Sequence, residues 1–428
     1  MNYEARNTMH YLKINDSDKK KIGYLIHLYR TQQFKHLSQK SFLLNEYNEP
    51  ICTRQTLSKI EQDVIIKNDS IYEELLKKVH LKFNTDYCIE EFLPTSIFSD
   101  LLNACDYYNL EKLISISKSY TKQLKPFKEY IFFHEYYECF KWIYTYYSSF
   151  ELPTLQSTEY IILLKNIINS NLYEVMMDLV FKKRTISGIY DFSYFDFKNS
   201  NSMINRGNHM MILYNQSKLS EMLDYCQDLE EEYSSKNNYI RLLDIYSLKG
   251  FAFSNTEKEK FEKLVSQINH TVEAHHSNIP KIKISQLLKN MGLQAFRIDM
   301  YDVAINYLEQ YIAMDSPYAN IVGIDLCISY QKTNKINKLK SFIQSKEIYK
   351  GDGQYENLLN YFILKYKFQI DNDELSYFIV NKVPIIIDNT MGKYEQFFYE
   401  ELSMLVEQTK CYKDLKTYLD STSDMLPI

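Results

Sequence analysis

The sequence predicts an all-α protein, and three observations carry that prediction. Helix breakers are scarce, with 9 Gly and 8 Pro in 428 residues, which favours helices joined by short turns. Apolar side chains recur at helical spacing in blocks of ~12–16 residues separated by short polar breaks. No block alternates with the period of two that a half-buried strand requires. With 45% hydrophobic residues and 39 tyrosines, the chain can bury a large core and is long enough for two or three domains.

The elements of the first 85 residues follow in order. Ser17-Asp18 is suited to capping a helix over KKIGYLIHLYRTQQF, where Ile22, Leu25, Ile26, Leu28 and Tyr29 fall near one face. A second helix is expected at LSQKSFLL with Ser38 as its N-cap. A third is expected at TRQTLSKIEQ, capped by Thr53 and turned to the core at Leu57 and Ile60. The fourth, NDSIYEELLKKVHLKF, has acids early and lysines late, as the helix dipole prefers. From Ser17 to Ile60 eight Lys/Arg face three acids, so this stretch carries +5 while the whole chain carries −5. A basic head on an acidic body fits contact with phosphates at one end.

The third helix is unusually bare, with two aliphatic residues in ten. Arg54, Gln55 and Lys59 are expected to stay outward near its N-terminal half. An Arg can fork onto guanine, a Gln can pair with adenine, and a Lys can reach guanine or phosphate. Thr56 is placed to touch a thymine methyl. Ser38 and Thr53 would offer hydroxyls and helix-terminal N–H groups to phosphates. Glu61 is expected to turn inward and pair with Arg30 of the first helix.

LSQ followed by TRQTLSKIEQD resembles the helix-turn-helix of the Xre/lambda-repressor-like superfamily over about 65 residues. The resemblance implies a DNA-binding domain over 17–85, in which Gln39, with Lys40 beside it, touches backbone or an outer base. Two departures stand out: fourteen residues separate Gln39 from Thr53 where about ten are usual, and the NEYNEP stretch lacks the usual turn glycine.

Beyond an N-terminal extension (1–16), this domain and a linker (86–94), residues 95–428 read as a series of amphipathic helices, among them IFSDLLNACDYY, LEKLISISKSY and YEVMMDLVF. Such a series suggests stacked helical hairpins. QLLKNMGLQAFRIDMYDVAINYLEQYIAMDSP (286–317) resembles a tetratricopeptide unit, with Leu288, Gly292 and Ala295 on one helix, Ala304 and Leu308 on the next, and Pro317 at the exit. The small residues let paired helices cross closely. A degenerate copy at 205–226 aligns Asn205 with Asn290, Gly207 with Gly292 and Leu219 with Ala304, and Gly250 adds a third glycine at a similar spacing. The expected fold is therefore a lambda-repressor-like head followed by a right-handed, tetratricopeptide-like solenoid. An asparagine amide both donates and accepts, so Asn205 and Asn290 are the candidates for clamping a peptide backbone on its inner face.

A head of this type joined to such repeats resembles the peptide-pheromone-responsive regulators of Gram-positive bacteria, the Rgg, PlcR, PrgX and NprR group. The resemblance implies a cytoplasmic homodimer on a two-fold symmetric double-stranded DNA site, controlled by a short signalling peptide. The alternative is a helical-repeat regulator whose main target is another protein, as in the Rap group.

No cofactor, metal or enzymatic chemistry is expected. HEYYE (134–138) lacks the second histidine of a zinc-protease helix. HTVEAHH (270–276) clusters three histidines with an acid and could hold a metal, but it reads better as a polar helix end. Seven dispersed cysteines suggest reduced, mostly buried thiols. MNYEARNTMH lacks the order of a signal peptide and no run approaches a membrane span, so a soluble, cytoplasmic protein is expected.

Overall fold

The computed structural model describes residues 14–84, 89–253, 258–314, 322–387 and 392–422. Among them every regular element is helical, and two isolated bridges, Leu44 with Pro50 and Lys82 with Tyr130, are the only extended pairings. The all-α expectation holds. No described helix is long and apolar enough to cross a membrane. Of the described cysteines, four are buried, Cys52 is half-buried and Cys411 is exposed, and all are free thiols.

The chain divides into two compact units, 1–222 and 223–428. That differs from the boundary expected near residues 86–94. Of the expected extension, residues 1–13 lie outside the described set, as do 85–88 of the expected linker.

In the first unit, α1 (Asp16–Gln32), α2 (Gln39–Phe42), α3 (Arg54–Glu61) and α4 (Asp69–Lys78) form the head. α5 (Ile89–Phe92), α6 (Thr95–Asp106), α7 (Leu110–Leu124), α8 (Phe133–Ser149), α9 (Leu155–Ile162), α10 (Ser170–Ile186) and α11 (Met203–Asn215) follow. One apolar core runs through all of them, from Ile22 and Leu25 through Leu57, Ile60 and Leu76 to Phe140 and Leu179. Buried apolar area of this extent is the main stabilising term.

That shared core places the head and the helices after it in one compact unit. Tyr24 Oη donates to the Leu163 carbonyl at 2.6 Å. The Lys82 backbone pairs with Glu129 and Ile131 at 2.8 and 2.9 Å, and Lys21 sits over the Phe132 ring. Tyr29 on α1 donates to the buried carboxylate of Glu135 on α8, and its hydroxyl lies 3.0 Å from that of Tyr160 on α9. Burial, reinforced by Glu135, raises both phenols well above their ordinary pKa, so both keep their protons. The second Glu135 oxygen is buried without a hydrogen-bond partner among the described residues.

α12 (Leu219–Ser235) carries the unit boundary. The second unit continues with α13 (Tyr239–Phe253), α14 (Lys258–His275), α15 (Lys281–Arg297), α16 (Tyr301–Ala313), α17 (Gly323–Lys332), α18 (Ile336–Gln344) and α19 (Gln354–Phe362). A π-helical turn, Ile363–Phe368, extends α19. α20 (Asn372–Asn381), α21 (Val383–Ile386), α22 (Gly392–Thr409) and α23 (Lys413–Thr422) complete it. From α13 to α19 the packing is regular: α13 packs on α14 and α15, α15 on α16 and α17, and α17 on α18 and α19.

The glycine logic of the repeat holds at one site and fails at its copy. A Cβ on Gly292 would meet Leu308 Cδ2 at 2.5 Å, so α15 and α16 cross where only glycine fits. A Cβ on Gly250 would meet Met291 Sδ at 3.2 Å, so that glycine serves the approach of α13 to α15. Gly207 faces open space, with only Met210 Cε at 3.9 Å, so the 205–226 segment does not reproduce the crossing. Pro317 lies outside the described residues.

Candidate nucleic-acid interface

Each head helix starts with a side-chain cap. The cap of α1 is Asn15, whose Oδ1 accepts from the Asp18 N–H at 2.8 Å, in place of the expected Ser17-Asp18. Ser38 caps α2 by accepting from the Ser41 N–H at 3.1 Å, and Thr53 caps α3 from the Thr56 N–H at 3.1 Å, both as expected. Asn68 caps α4. α2 is a single turn, shorter than LSQKSFLL suggested, because the chain turns at Leu43 and takes a hydrogen bond from the Ile51 N–H at 2.8 Å.

The NEYNEP stretch is an ordered turn. Asn45 Oδ1 accepts from the N–H groups of Tyr47 and Glu49 at 2.9 and 2.8 Å, and the Leu44–Pro50 bridge closes it. Asn48, at φ +62°, takes the left-handed conformation that the missing glycine would have supplied.

α3 is held from behind at three points. Leu57 and Ile60 are fully buried. Glu61 accepts two parallel hydrogen bonds from Arg30, 2.7 Å to Nε and 2.8 Å to Nη2, so the expected ion pair forms in fork geometry. Gly23 on α1 meets α3 backbone to backbone, since a Cβ there would stand 2.3 Å from the Ile60 carbonyl oxygen. Sequence reading missed this contact. Cys52, just before the cap, has its thiol pushed up to about 11, chiefly by burial, and stays protonated.

The outward face is free. Arg54, Gln55, Lys59, Thr53, Ser38 and Lys40 are exposed, while Thr56 and Gln39 are half-buried. The Thr56 hydroxyl lies 2.9 Å from that of Thr53. Of the eight cations between Ser17 and Ile60, Lys19 pairs with Asp69, Arg30 pairs with Glu61 and Lys21 covers Phe132. Lys20, Lys35, Lys40, Arg54 and Lys59 are exposed and form no ion pair among the described residues. The positive excess is therefore not neutralised locally.

The two asparagine candidates fare differently. Asn205 is fully buried in α11, and its amide donates to the Glu174 carbonyl at 2.8 Å and to Glu174 Oε2 at 2.6 Å. It braces α11 against α10 and presents nothing to a ligand, which corrects the expectation. Asn290 is half-buried on α15. In the histidine-rich stretch, His275 ends α14 and stacks on Tyr239.

No family model, no curated protein and no solved structure matches this chain.

Proposed function

We propose that this chain is a cytoplasmic, DNA-binding transcription regulator that acts as a dimer on a two-fold site, with its α13–α19 repeats sensing a short peptide. The observation that carries the DNA reading is the α3 face. A capped two-turn helix is fixed from behind by Gly23, Leu57, Ile60 and Glu61, while Arg54, Gln55 and Lys59 project without partners. A helix so rigidly backed and so sparsely used suits insertion into the major groove. The α13–α19 packing supports a tetratricopeptide-like stack, whose usual work is to hold an extended peptide or another protein. A ligand there shifts activity only by binding one arrangement of the protein better than another.

The test is selection of binding sites from random duplex DNA, followed by titration at several salt concentrations. The expected result is an enriched two-fold sequence whose affinity falls steeply with salt. Arg54→Ala with Gln55→Ala should weaken that site by ~2 kcal/mol or more, at about 1–3 kcal/mol for each base-reading pair. Since both residues are exposed, thermal stability should not move. Selection without enrichment, or undiminished affinity in the double variant, overturns the reading. It would favour the alternative, in which the helical repeats act on a partner protein.

A further inference from the structure

The second unit holds a cleft of about 270 Å³ between α17, α22 and the α15–α16 turn. Its apolar floor is Ile328 and Phe397, and Lys332 pairs with Glu400 across it. At one end stands a cage of a particular chemistry. The Lys393 ammonium of α22 lies 5.6 Å from the Phe296 ring centre and 5.7 Å from that of Tyr301. It donates to the Asp299 carboxylate, which Tyr301 also hydrogen-bonds, and the Arg297 carbonyl is 3.4 Å away. Two π-faces, a carboxylate and a carbonyl around one nitrogen are what recognises an alkylammonium ion. Despite partial burial, the hydrogen bonds from Lys393 and Tyr301 hold the Asp299 carboxyl below its usual range, so the cage keeps its negative charge.

The chain's own lysine fills this cage, but its hold is modest. The side chains of Lys393 and Asp299 are 27% and 58% exposed, and an ion pair so open to water is worth ~0–1 kcal/mol. Releasing Lys393 also returns the rotamer freedom of a long side chain. The neighbouring cleft gives a competing amine room for the rest of its molecule.

We propose that the Phe296–Asp299–Tyr301 cage is a binding site for a primary ammonium group, and that such a ligand enters by displacing Lys393. The source is the N-terminal amine or a lysine side chain of a peptide, an identification that rests on the peptide-sensing reading above. The cage itself does not depend on that reading. Once freed, Lys393 no longer ties the start of α22 to the α15–α16 turn, and because Tyr394 keeps its bond to Asp325, occupancy loosens the first turn of α22 without displacing the helix.

The test uses the full chain with no DNA present, so its failure is distinct from failure of the DNA reading. Calorimetric titrations would use n-butylamine, Ala-Leu amide, its N-acetylated form, and N-acetyl-lysine methylamide. Both amine-bearing peptides and n-butylamine should bind, the acetylated dipeptide should not, and the tighter of the two peptide probes identifies the source. Lys393→Met, which keeps the stem and removes the competitor, should tighten n-butylamine binding by ~5-fold, and adding Asp299→Asn should weaken it by ~10-fold or more. In the wild-type chain, saturating n-butylamine should speed hydrogen exchange in the first turn of α22, a readout needing no variant. Equal binding of the acetylated dipeptide, or no gain from Lys393→Met with no exchange change in the wild type, overturns the proposal.

Discussion

Two glycines inside helices should respond oppositely to the same substitution. At Gly23 an added methyl would stand 2.3 Å from the Ile60 carbonyl oxygen and 3.1 Å from both the Ile60 carbonyl carbon and Cγ2, where ordinary contact begins at 3.4 Å. The obstacle is backbone, which cannot rotate away, so α1 and α3 must part by about 1 Å, an overpacking that costs ~1–3 kcal/mol. Against this, alanine gains ~1 kcal/mol over glycine in a helix interior. Because Leu57 and Ile60 lose contact as the helices separate, sterics win, and Gly23→Ala should destabilise by ~1–2 kcal/mol. Gly207 has open space and no such penalty, so Gly207→Ala should stabilise by ~0.5–1 kcal/mol. Urea unfolding followed by circular dichroism measures both. If α3 reads DNA as proposed, Gly23→Ala should also loosen binding of the selected DNA, because α3 moves relative to its support. A Gly23→Ala protein as stable as the parent, or a destabilised Gly207→Ala protein, would refute the reasoning.

Other expectations follow from the same contacts. Glu61→Ala strands the half-buried Arg30 guanidinium and should cost ~1–3 kcal/mol, with a double-mutant cycle against Arg30→Ala showing coupling. Tyr29→Phe removes a donor from buried Glu135 and should cost ~1–3 kcal/mol in urea unfolding while leaving the secondary structure intact. Asp325, buried in α17 and accepting from Tyr394 Oη at 2.7 Å, has its carboxyl pushed up to about 7 by burial, against the opposing effects of that bond and of Arg297. Its folded pKa lies above its unfolded one, so between pH ~4 and ~7 the folded state holds the extra proton and stability falls as pH rises, by up to ~1 kcal/mol per unit. Asp325→Asn should flatten that slope, and an unchanged slope would assign it elsewhere.

What was legible in the sequence was local. Ser38 and Thr53 each cap a helix through an N–H three residues on, and Leu57 and Ile60 mark a face by spacing alone. The Arg30–Glu61 pair was reachable because the helix-turn-helix resemblance brings those two helices together. Asn48 could have been read as the stand-in for a turn glycine, since asparagine tolerates positive φ. What escaped was spatial. Asn205 looks like any helical asparagine until Glu174, 31 residues earlier, comes beside it. Gly23 shows no sign in its own helix that Ile60 will press on it. The same holds for the join between Tyr29 and Glu135, 106 residues apart, which composition alone does not reveal.

That junction makes the first 85 residues a poor portable cassette. Cut there, the segment would bare the Tyr29 ring, which is 1% exposed in the intact chain, and leave the Lys82 backbone without Glu129 and Ile131. Moving this head intact would require carrying the α8–α9 socket with it, since the partners of Tyr29 and Tyr24 lie there and just after it. If α3 reads DNA as proposed, a change of target is easier to make on its exposed face than by exchanging the whole module.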